Sequence, residues 1–287
     1  ALIKQIEALN FQRPILISSS PLIADVIGSI NETSSHYICL DDWGEFEGAF
    51  RCLNEVEQEL LKKVDSCFAV SETLLTERKS AKGENHFLPQ GVDVDHFSKS
   101  EDSVPPELRS LPKPIIGYFG LFATYVNFEM IIESARAYPT ASVVLFGRTK
   151  TDISRLLEEP NIHFLGEIPF SNLPRYASAF DVGLIPFTVN KLTIAANPLK
   201  LLEYLSLGIP VVSTELPEVM KFQDVVFIAK DTNDFVRCVG KALAEDTLEQ
   251  NERRRNQAEK FSWRAIVEEF SNIVLRIEET KNSIRSS

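Results

Sequence analysis

A lysine and a glutamate, Lys200 and Glu203, lie three residues apart in a segment with helical patterning. Residues three apart share one face of a helix. Lys200 falls in the first turn, where free backbone N–H groups and the helix dipole favour an anion. The carboxylate of Glu203 can accept hydrogen bonds from hydroxyl groups. One short helix therefore offers the groups that a phosphate joined to a sugar would need.

The residues around this pair predict where the helix begins and ends. Asn197 is expected to be the N-cap, with its side-chain oxygen accepting a backbone N–H of the first turn. Pro198 then occupies the first helical position, where its missing N–H costs nothing. Gly208 and Pro210 end the helix, and a buried strand is expected from Ile209 to Thr214.

This segment resembles the donor-site helix of the group 1 glycosyltransferases, a family with the GT-B fold. That family carries two glutamates separated by seven residues and followed by a Gly-x-Pro-Val-Val strand. Glu203 matches the second glutamate, and the run from Gly208 to Val212 matches the strand. The first glutamate would fall on Ala195, so that half of the motif is absent. The alternative interpretation is an ordinary capped helix before a buried strand.

The form Pro-x-Lys-x-x-Glu-Tyr is similar to a subgroup from cell-surface polysaccharide synthesis, the teichuronic acid glycosyltransferases. Pro89 to Phe97 resembles a second family motif, Pro-Asn-Gly-Val-Asp-x-x-x-Phe, although a strand-ending turn would look alike. The loop from Phe164 to Phe170 resembles the family's F-x-G-x-V/I-P loop. This resemblance implies that the backbone at Ile168 meets the nucleotide base.

Gly120 ends a predicted strand that begins near Ile116. Its lack of a side chain would let backbone N–H groups approach a diphosphate, but such a turn alone is a weak signal. Many family members place an arginine and a lysine after this turn. The matching stretch here, from Phe122 to Asn127, contains no cation. Lys200 is therefore the main candidate to bind phosphate, and Arg148 is the second, with a solvated loop arginine as its alternative.

The resemblance implies a role for each site residue. Glu203 would hold the ribose hydroxyls of the donor, and Lys200 with the neighbouring amides would stabilise the departing diphosphate. The residues that the resemblance places on the donor are Gly120, Arg148, Ile168, Asn197, Pro198, Leu199, Lys200 and Glu203.

An acidic pair, Asp41 and Asp42, follows a predicted strand and precedes Trp43. Side chains at this carboxyl edge of a parallel sheet commonly face a ligand. Asp42 is the predicted catalytic residue here, as a ligand or base for an acceptor hydroxyl. The teichuronic-like subgroup has a similar Asp-Asp-Trp. The alternative is a helix-start cluster with a packed tryptophan.

Strand and helix patterns alternate along the chain, which predicts an α/β fold with parallel sheets covered on both faces. A polar, proline-rich run from Ser98 to Pro114 is the expected linker and hinge. We expect a partial N-terminal Rossmann-like domain over 1–104, a donor domain over 105–262 and a helix over 263–287 that crosses back. Two such units are the GT-B pattern, with sheets facing a central cleft.

Composition limits the partners. The net charge of −11 over 287 residues argues against a nucleic acid. The sequence shows no apolar run long enough to span a membrane, no metal-ligand cluster and no CxxC pair. Its four cysteines are typical of free thiols in a reducing cytoplasm. We therefore expect the protein to be cytoplasmic, a location that includes the inner face of the membrane. Any contact with the membrane is expected to be made by parts outside this chain.

The resemblance implies transfer of a sugar with retention, and without a metal or other cofactor. The donor would be UDP- or GDP-linked and the acceptor a glycan or a lipid-linked sugar. Ala195 and the missing cations leave a second hypothesis, a non-catalytic or partner-dependent module that binds a nucleotide or glycan. A third is a nucleotide-sugar epimerase of the same fold, although the motifs at 89–97 and 208–212 match transferases better.

Overall fold

The structure is a computed structural model that describes residues 2–98 and 104–286. The chain divides into two compact units. The first comprises residues 1–90, 195–197 and 264–287, and the second comprises residues 91–194 and 198–263. The units thus divide after Gln90, whereas the sequence placed the boundary after residue 104.

The first unit contains a four-stranded parallel sheet in the order β1-β2-β3-β4. Its elements are α1 (Leu2–Ala8), β1 (Ile15–Ser18), β2 (Ser34–Cys39), α2 (Leu53–Lys63), β3 (Ser66–Ala69), α3 (Glu72–Glu77) and β4 (Glu84–Phe87). The central strand β3 is buried along its whole length, as expected when helices cover both faces of a parallel sheet.

The second unit contains a six-stranded parallel sheet in the order β10-β9-β8-β5-β6-β7. Its elements are α4 (Pro106–Arg109), β5 (Ile115–Phe119), α5 (Phe128–Ala137), β6 (Ser142–Phe146), β7 (Ile162–Phe164), α6 (Leu173–Ala177), β8 (Val182–Ile185), α7 (Lys191–Ala195), α8 (Leu199–Ser206), β9 (Val211–Thr214), α9 (Pro217–Met220), β10 (Val226–Ala229), α10 (Thr232–Ala244) and α11 (Leu248–Glu259). The direction in which strands are added reverses between β5 and β8. Open α/β sheets bind ligands at the carboxyl ends of strands at such a point.

The last helix, α12 (Trp263–Ser286), belongs to the first unit from residue 264 onward. Phe270 packs edge-on against Phe68 of β3, with ring centroids 4.8 Å apart. Arg276 pairs with Glu84. An apolar contact and an ion pair thus attach this helix to the four-stranded sheet.

Three parts of the chain differ from the sequence-based expectation. Residues 106–109 of the expected linker form α4, and residues 99–103 lie outside the described residues. Between β6 and β7, where the alternation of strands and helices predicts a helix, the chain forms only a 3₁₀ turn at Leu156–Glu158, because the Asp152 carboxylate accepts the backbone N–H of Ser154 and stabilises a turn. The helix α11 was not predicted at all.

Replacing Gly147 by alanine is expected to destabilise the second unit by about 3 kcal/mol or more, through both backbone strain and overpacking. Gly147 has φ +140°, and a Cβ there would lie 1.9 Å from the carbonyl oxygen of Gly120. Urea denaturation followed by circular dichroism measures the loss. The matched control is Gly166→Ala, since Gly166 also has positive φ (+74°) but open space around it. We expect a loss of about 1–2 kcal/mol for the control, and equal losses would contradict the packing argument.

Candidate functional site

Two glycine turns lie at the carboxyl ends of β5 and β6, beside the point where the strand order reverses. Gly120 has φ +133°, a conformation that side chains disfavour. Its N–H donates to the carbonyl of Phe146 at 3.0 Å, and the N–H of Gly147 donates to Gly166 at 2.7 Å. These turns keep side chains away from the edge of the sheet and leave room for a ligand.

A cavity of about 310 Å³ opens at these turns. Its lining residues are Phe119, Gly120, Leu121, Phe146, Gly147, Arg148, Glu167, Ile168 and Leu173. Three residues that the sequence assigned to the donor, namely Gly120, Arg148 and Ile168, therefore line one cavity. Aromatic side chains, backbone groups and one charged pair make up its walls, a combination that suits a planar base with polar edges.

The helix α8 is fixed to the sheet by Tyr204. The backbone N–H of Phe119 donates to the Tyr204 hydroxyl at 3.3 Å, and the two rings meet edge-on at 4.9 Å. Gly183 in β8 lies so close that a Cβ there would meet the Tyr204 ring at 2.9 Å. The helix ends where the sequence predicted, at Gly208 with φ +75°. Its register on the sheet is therefore set by one buried tyrosine.

The prediction that Asn197 caps α8 is wrong. Pro198 occupies the N-cap position, and no described side chain makes a capping hydrogen bond there. The Asn197 amide instead donates to the carbonyl of Val70 at 2.9 Å, and residues 195–197 pack with the first unit. Because the first N–H groups of a helix lack intrahelical acceptors, this end of α8 keeps its capacity to bind an anion.

Lys200 lies beneath the Gly120 turn in an aromatic environment. Its Nζ is 4.5 Å from the ring centroid of Phe187 and 5.2 Å from that of Tyr118. A Cβ at Gly120 would lie 3.2 Å from this Nζ. The half-buried ammonium thus sits at the turn that lines the cavity. Phe187 and Tyr118 could not be recognised as site residues from the sequence, because aromatic residues beside a strand usually belong to the core.

Neither Lys200 nor Glu203 makes a side-chain hydrogen bond or ion pair within the described residues. Burial raises the pKa of Glu203 to about 7, and the charge of Lys200 opposes that shift. Burial likewise lowers the pKa of Lys200 to about 8, opposed by the charge of Glu203. Half-buried charged groups without hydrogen bonds are costly, so this pair is a candidate ligand-binding site.

Arg148 differs from Lys200 in having a partner. It pairs with Glu167 across the mouth of the cavity, with Nη2 and Oε1 3.0 Å apart, and both side chains are more than half exposed. The hydrogen bond that Arg148 donates to Glu167, together with the negative charge of Glu167, raises the pKa of Arg148. Of the two predicted phosphate ligands, only Lys200 is therefore left without an anionic partner in the part of the chain that the structure describes.

Asp42 lies in the first unit, where its carboxylate is almost fully buried. Arg78 Nη2 is 2.7 Å from the Asp42 carboxylate, and Arg78 Nε is 2.7 Å from that of Glu57. Its predicted role toward an acceptor stays a prediction, but these contacts also give Asp42 a structural role. Its neighbour Asp41 is half-buried. Burial is the larger cause that raises the pKa of Asp41 to about 6, and the negative charge of Asp42 is the smaller one.

Metal binding and membrane spanning each require a feature that the described residues do not show. No group of three or more His, Cys, Asp or Glu residues is arranged to hold a metal ion anywhere in the described ranges. None of the described helices, α12 included, combines the length and apolar character needed to cross a membrane.

Comparisons with known proteins match part of the chain to a family model and the whole fold to solved structures. Residues 113–245 match the family model for glycosyl transferases group 1. A putative teichuronic acid biosynthesis glycosyltransferase, TuaH of Bacillus subtilis (strain 168), is 28% identical over 253 residues. That alignment covers 80% of this chain and 64% of TuaH, so the chain spans slightly less than two thirds of this relative's length.

Solved glycosyltransferase structures share the fold. Sucrose-phosphate synthase from Thermosynechococcus elongatus superposes with a TM-score of 0.79 at 18% identity, covering 97% of this chain and 78% of that one. Anabaena HepE in complex with UDP superposes with a TM-score of 0.77 at 14% identity, and the match covers 96% of this chain and 82% of HepE. The pneumococcal O-GlcNAc transferase GtfA in complex with UDP and GlcNAc superposes with a TM-score of 0.69 at 14% identity, and the match covers 96% of this chain and 59% of GtfA. The expected GT-B fold with two parallel sheets is confirmed.

Replacing Arg78 by methionine is expected to destabilise the chain by about 3–5 kcal/mol, because two buried carboxylates lose their shared cation. The control is Arg136→Met, since Arg136 pairs with Glu133 and Glu159 but is half exposed. We expect a much smaller loss for the control, because exposed ion pairs contribute little to stability. Urea denaturation measures both losses. A small loss of stability for Arg78→Met would show that the ion pairs of Arg78 with Asp42 and Glu57 do not stabilise the first unit.

Replacing Glu203 by glutamine is expected to stabilise the chain at pH 8. The pKa of Glu203 rises from 4.5 to about 7 on folding, so ionisation costs the folded state more than the unfolded state. The wild type should therefore lose stability as the pH rises through about 7, and Glu203→Gln should be more stable at pH 8 by about 1–3 kcal/mol. Near pH 4.5 the difference should close.

Urea denaturation at pH 4.5 and pH 8 measures this difference. Glu252→Gln is the control, because Glu252 is exposed on α11 and the same change there should be neutral at both pH values. A Glu203→Gln variant that is less stable than the wild type at pH 8 would show that the carboxylate has a stabilising partner after all.

Proposed function

This chain carries a group 1 glycosyl transferase domain on a GT-B fold, and we propose that it transfers a sugar from a nucleotide-diphosphate sugar to an acceptor hydroxyl. We further propose that the anomeric configuration is retained and that no metal ion takes part. The acceptor would be a glycan or a lipid-linked sugar in cell-surface polysaccharide synthesis, as the similarity to TuaH suggests. Work at the cytoplasmic face of a membrane fits that role.

The observation that carries the proposal is Lys200 at the Gly120 turn beside the cavity, with Glu203 near it on α8 and no hydrogen bond or ion pair to either side chain within the described residues. The pair shares one face of α8, and Lys200 reaches the Gly120 turn. The cavity that opens at this turn is lined by aromatic and backbone groups. The Lys200 cation suits the diphosphate of a nucleotide, and the Glu203 carboxylate suits its ribose hydroxyls. The cavity suits its base. UDP bound to HepE and GtfA, two proteins of the same fold, is consistent with such a donor.

The donor would be held by three groups of contacts. The base enters the cavity near Ile168, and Glu203 accepts hydrogen bonds from the two ribose hydroxyls. The diphosphate lies against the first-turn amides of α8, at Leu199 and Lys200, with the Gly120 turn alongside. Each charge-assisted hydrogen bond to Glu203 would contribute about 1.5–3 kcal/mol.

During transfer, the bond between the anomeric carbon and the diphosphate oxygen breaks, and a bond to the acceptor oxygen forms on the same face of the sugar. The proton of the acceptor hydroxyl passes to the departing diphosphate. Negative charge grows on the departing diphosphate. The Lys200 ammonium and the α8 dipole are preorganised to stabilise that charge, because they are already partly desolvated and need no rearrangement. The cationic role that a metal has in other transferases would thus fall to α8.

On the acceptor side, we propose that the acidic pair after β2 binds the acceptor hydroxyl. Asp42 was the predicted residue, and its carboxylate is already bound to Arg78. Asp41 is the more exposed of the two, and burial holds its pKa near 6, which suits a group that accepts a proton or a hydroxyl hydrogen bond.

A non-catalytic nucleotide-binding module is the second candidate, and one observation favours it. Ala195 takes the place of the family's first glutamate and is fully buried among apolar residues of the first unit. No carboxylate can reach a donor sugar from that position. Such a module would bind the nucleotide but not turn over the sugar.

Incubation with radiolabelled UDP- and GDP-sugars tests the proposal and separates the alternatives. Lipid-linked and free oligosaccharides serve as acceptors, and the products are resolved by chromatography. We expect label on an acceptor. Nucleotide binding without transfer to any acceptor would support the binding module. Conversion of the sugar into its epimer would identify an epimerase instead.

Replacing Lys200 by alanine is expected to lower kcat by roughly a hundredfold, by analogy with the loss of one oxyanion-hole donor. The KM for the donor should change less, because the charge that Lys200 meets grows only in the transition state. Arg148→Ala is the matched control and should cost much less, since Arg148 already pairs with Glu167. Steady-state kinetics that show the reverse order would move the leaving-group contact to Arg148.

A further inference from the structure

Two adjacent residues at the end of β3 hold the segment that leads into α8. The Ser71 hydroxyl donates to the carbonyl of Ala195 at 2.7 Å. The carbonyl of Val70 accepts the Asn197 amide at 2.9 Å. The three-residue segment 195–197 is thus bound at both of its ends within the first unit.

The Ser71 hydroxyl is itself held in place. It accepts the backbone N–H of Leu74 at 3.2 Å and so caps α3. Ser71 and Ala195 are both fully buried. The start of the segment 195–197 is therefore held by buried hydrogen bonds within the first unit. The body of α8 is fixed independently, through the Tyr204 hydroxyl on β5.

The Asn197 contact has a consequence for the start of α8. Asparagine is among the best N-cap residues, and its side chain would ordinarily turn to a first-turn N–H. Here the amide is engaged with Val70, and the N-cap position passes to Pro198, which has no side-chain acceptor. The end of the helix that would meet a diphosphate is thereby kept clear of the protein's own capping group.

We propose that Asn197 and Ser71 are positioning residues for the diphosphate of the donor. They hold residues 195–197 so that the first turn of α8 stays uncapped, and they act through this segment rather than by touching the donor. The inference rests on the proposed function, because it assumes that a nucleotide diphosphate is the ligand. It predicts that their loss weakens binding of the diphosphate and leaves binding of the base and ribose unchanged.

Binding of UDP compared with uridine tests this, with GDP and guanosine as the second pair of probes. Asn197→Asp keeps the shape of the side chain but cannot donate to Val70, and its carboxylate is a strong N-cap. We expect it to turn to the first-turn amides and lower the affinity for the diphosphate about tenfold or more. The nucleoside affinity should stay within about twofold, since its contacts lie in the cavity and at Glu203.

Four further variants serve as controls. Asn197→Ala loses the contact with Val70 without gaining a cap, and should lower the diphosphate affinity by a smaller factor. Ser71→Ala should act in the same direction, whereas Ser71→Thr keeps the hydroxyl and should restore wild-type affinity. Asn256→Asp adds the same charge at an exposed position of α11 and should change nothing. Ligand-detected NMR and calorimetry measure the affinities, and melting curves verify folding.

The outcomes separate this inference from the proposed function. If the wild type binds UDP but Asn197→Asp binds it equally well, or loses UDP and uridine to the same extent, the positioning role is refuted and the proposed function stands. If Asn197→Asp does not fold, the comparison of Ser71→Ala with Ser71→Thr decides. If the wild type binds none of the four probes, the proposed function fails and this inference fails with it.

Discussion

Lys200 carries a positive charge that the protein half buries and, among the residues that the structure describes, leaves without a hydrogen bond or an ion pair. Its Nζ lies between the rings of Phe187 and Tyr118, which offset part of the lost hydration through cation–π contacts. Burial still lowers its pKa to about 8. A fold that tolerates this cost gains a cation that is ready for an incoming anion. The remaining features of the second unit are arranged around that charge.

The six-stranded parallel sheet determines where the Lys200 ammonium lies. Because strand order reverses between β5 and β8, the carboxyl ends of these strands leave a gap into which α8 directs its first turn. The glycine turns at Gly120 and Gly147 keep the gap free of side chains, and Tyr204 sets the height of α8 above the sheet. The cation, the glycine turn and the cavity meet because three elements distant in sequence are fixed by short-range contacts.

Much of this arrangement could be predicted from the sequence, since it depends on local patterns. The strand that ends at Phe119 was recognisable from its apolar character, and the end of α8 from Gly208. The grouping of Gly120, Arg148 and Ile168 followed from motif resemblance, and the structure places all three on one cavity. Their roles toward a donor stay predictions.

The remainder depended on long-range contacts that no local pattern encodes. Asn197 looked like an N-cap because its type favours one, but its partner Val70 lies 127 residues away. Arg148 looked like a free cation because Glu167, 19 residues on, gave no sign of pairing with it. The helix α11 has almost no apolar stripe, and it is held by Arg254, whose Nε donates to the carbonyl of Gly208 at 2.8 Å.

A crystal structure of the chain with UDP, or with GDP if that nucleotide binds more tightly, tests the central claim most directly. The account predicts that the diphosphate contacts the backbone amides of Leu199 and Lys200, with the Lys200 ammonium within hydrogen-bond distance of a phosphate oxygen. The ribose hydroxyls should lie on Glu203. A diphosphate bound to Arg148, with the first turn of α8 and Lys200 unoccupied, would contradict it.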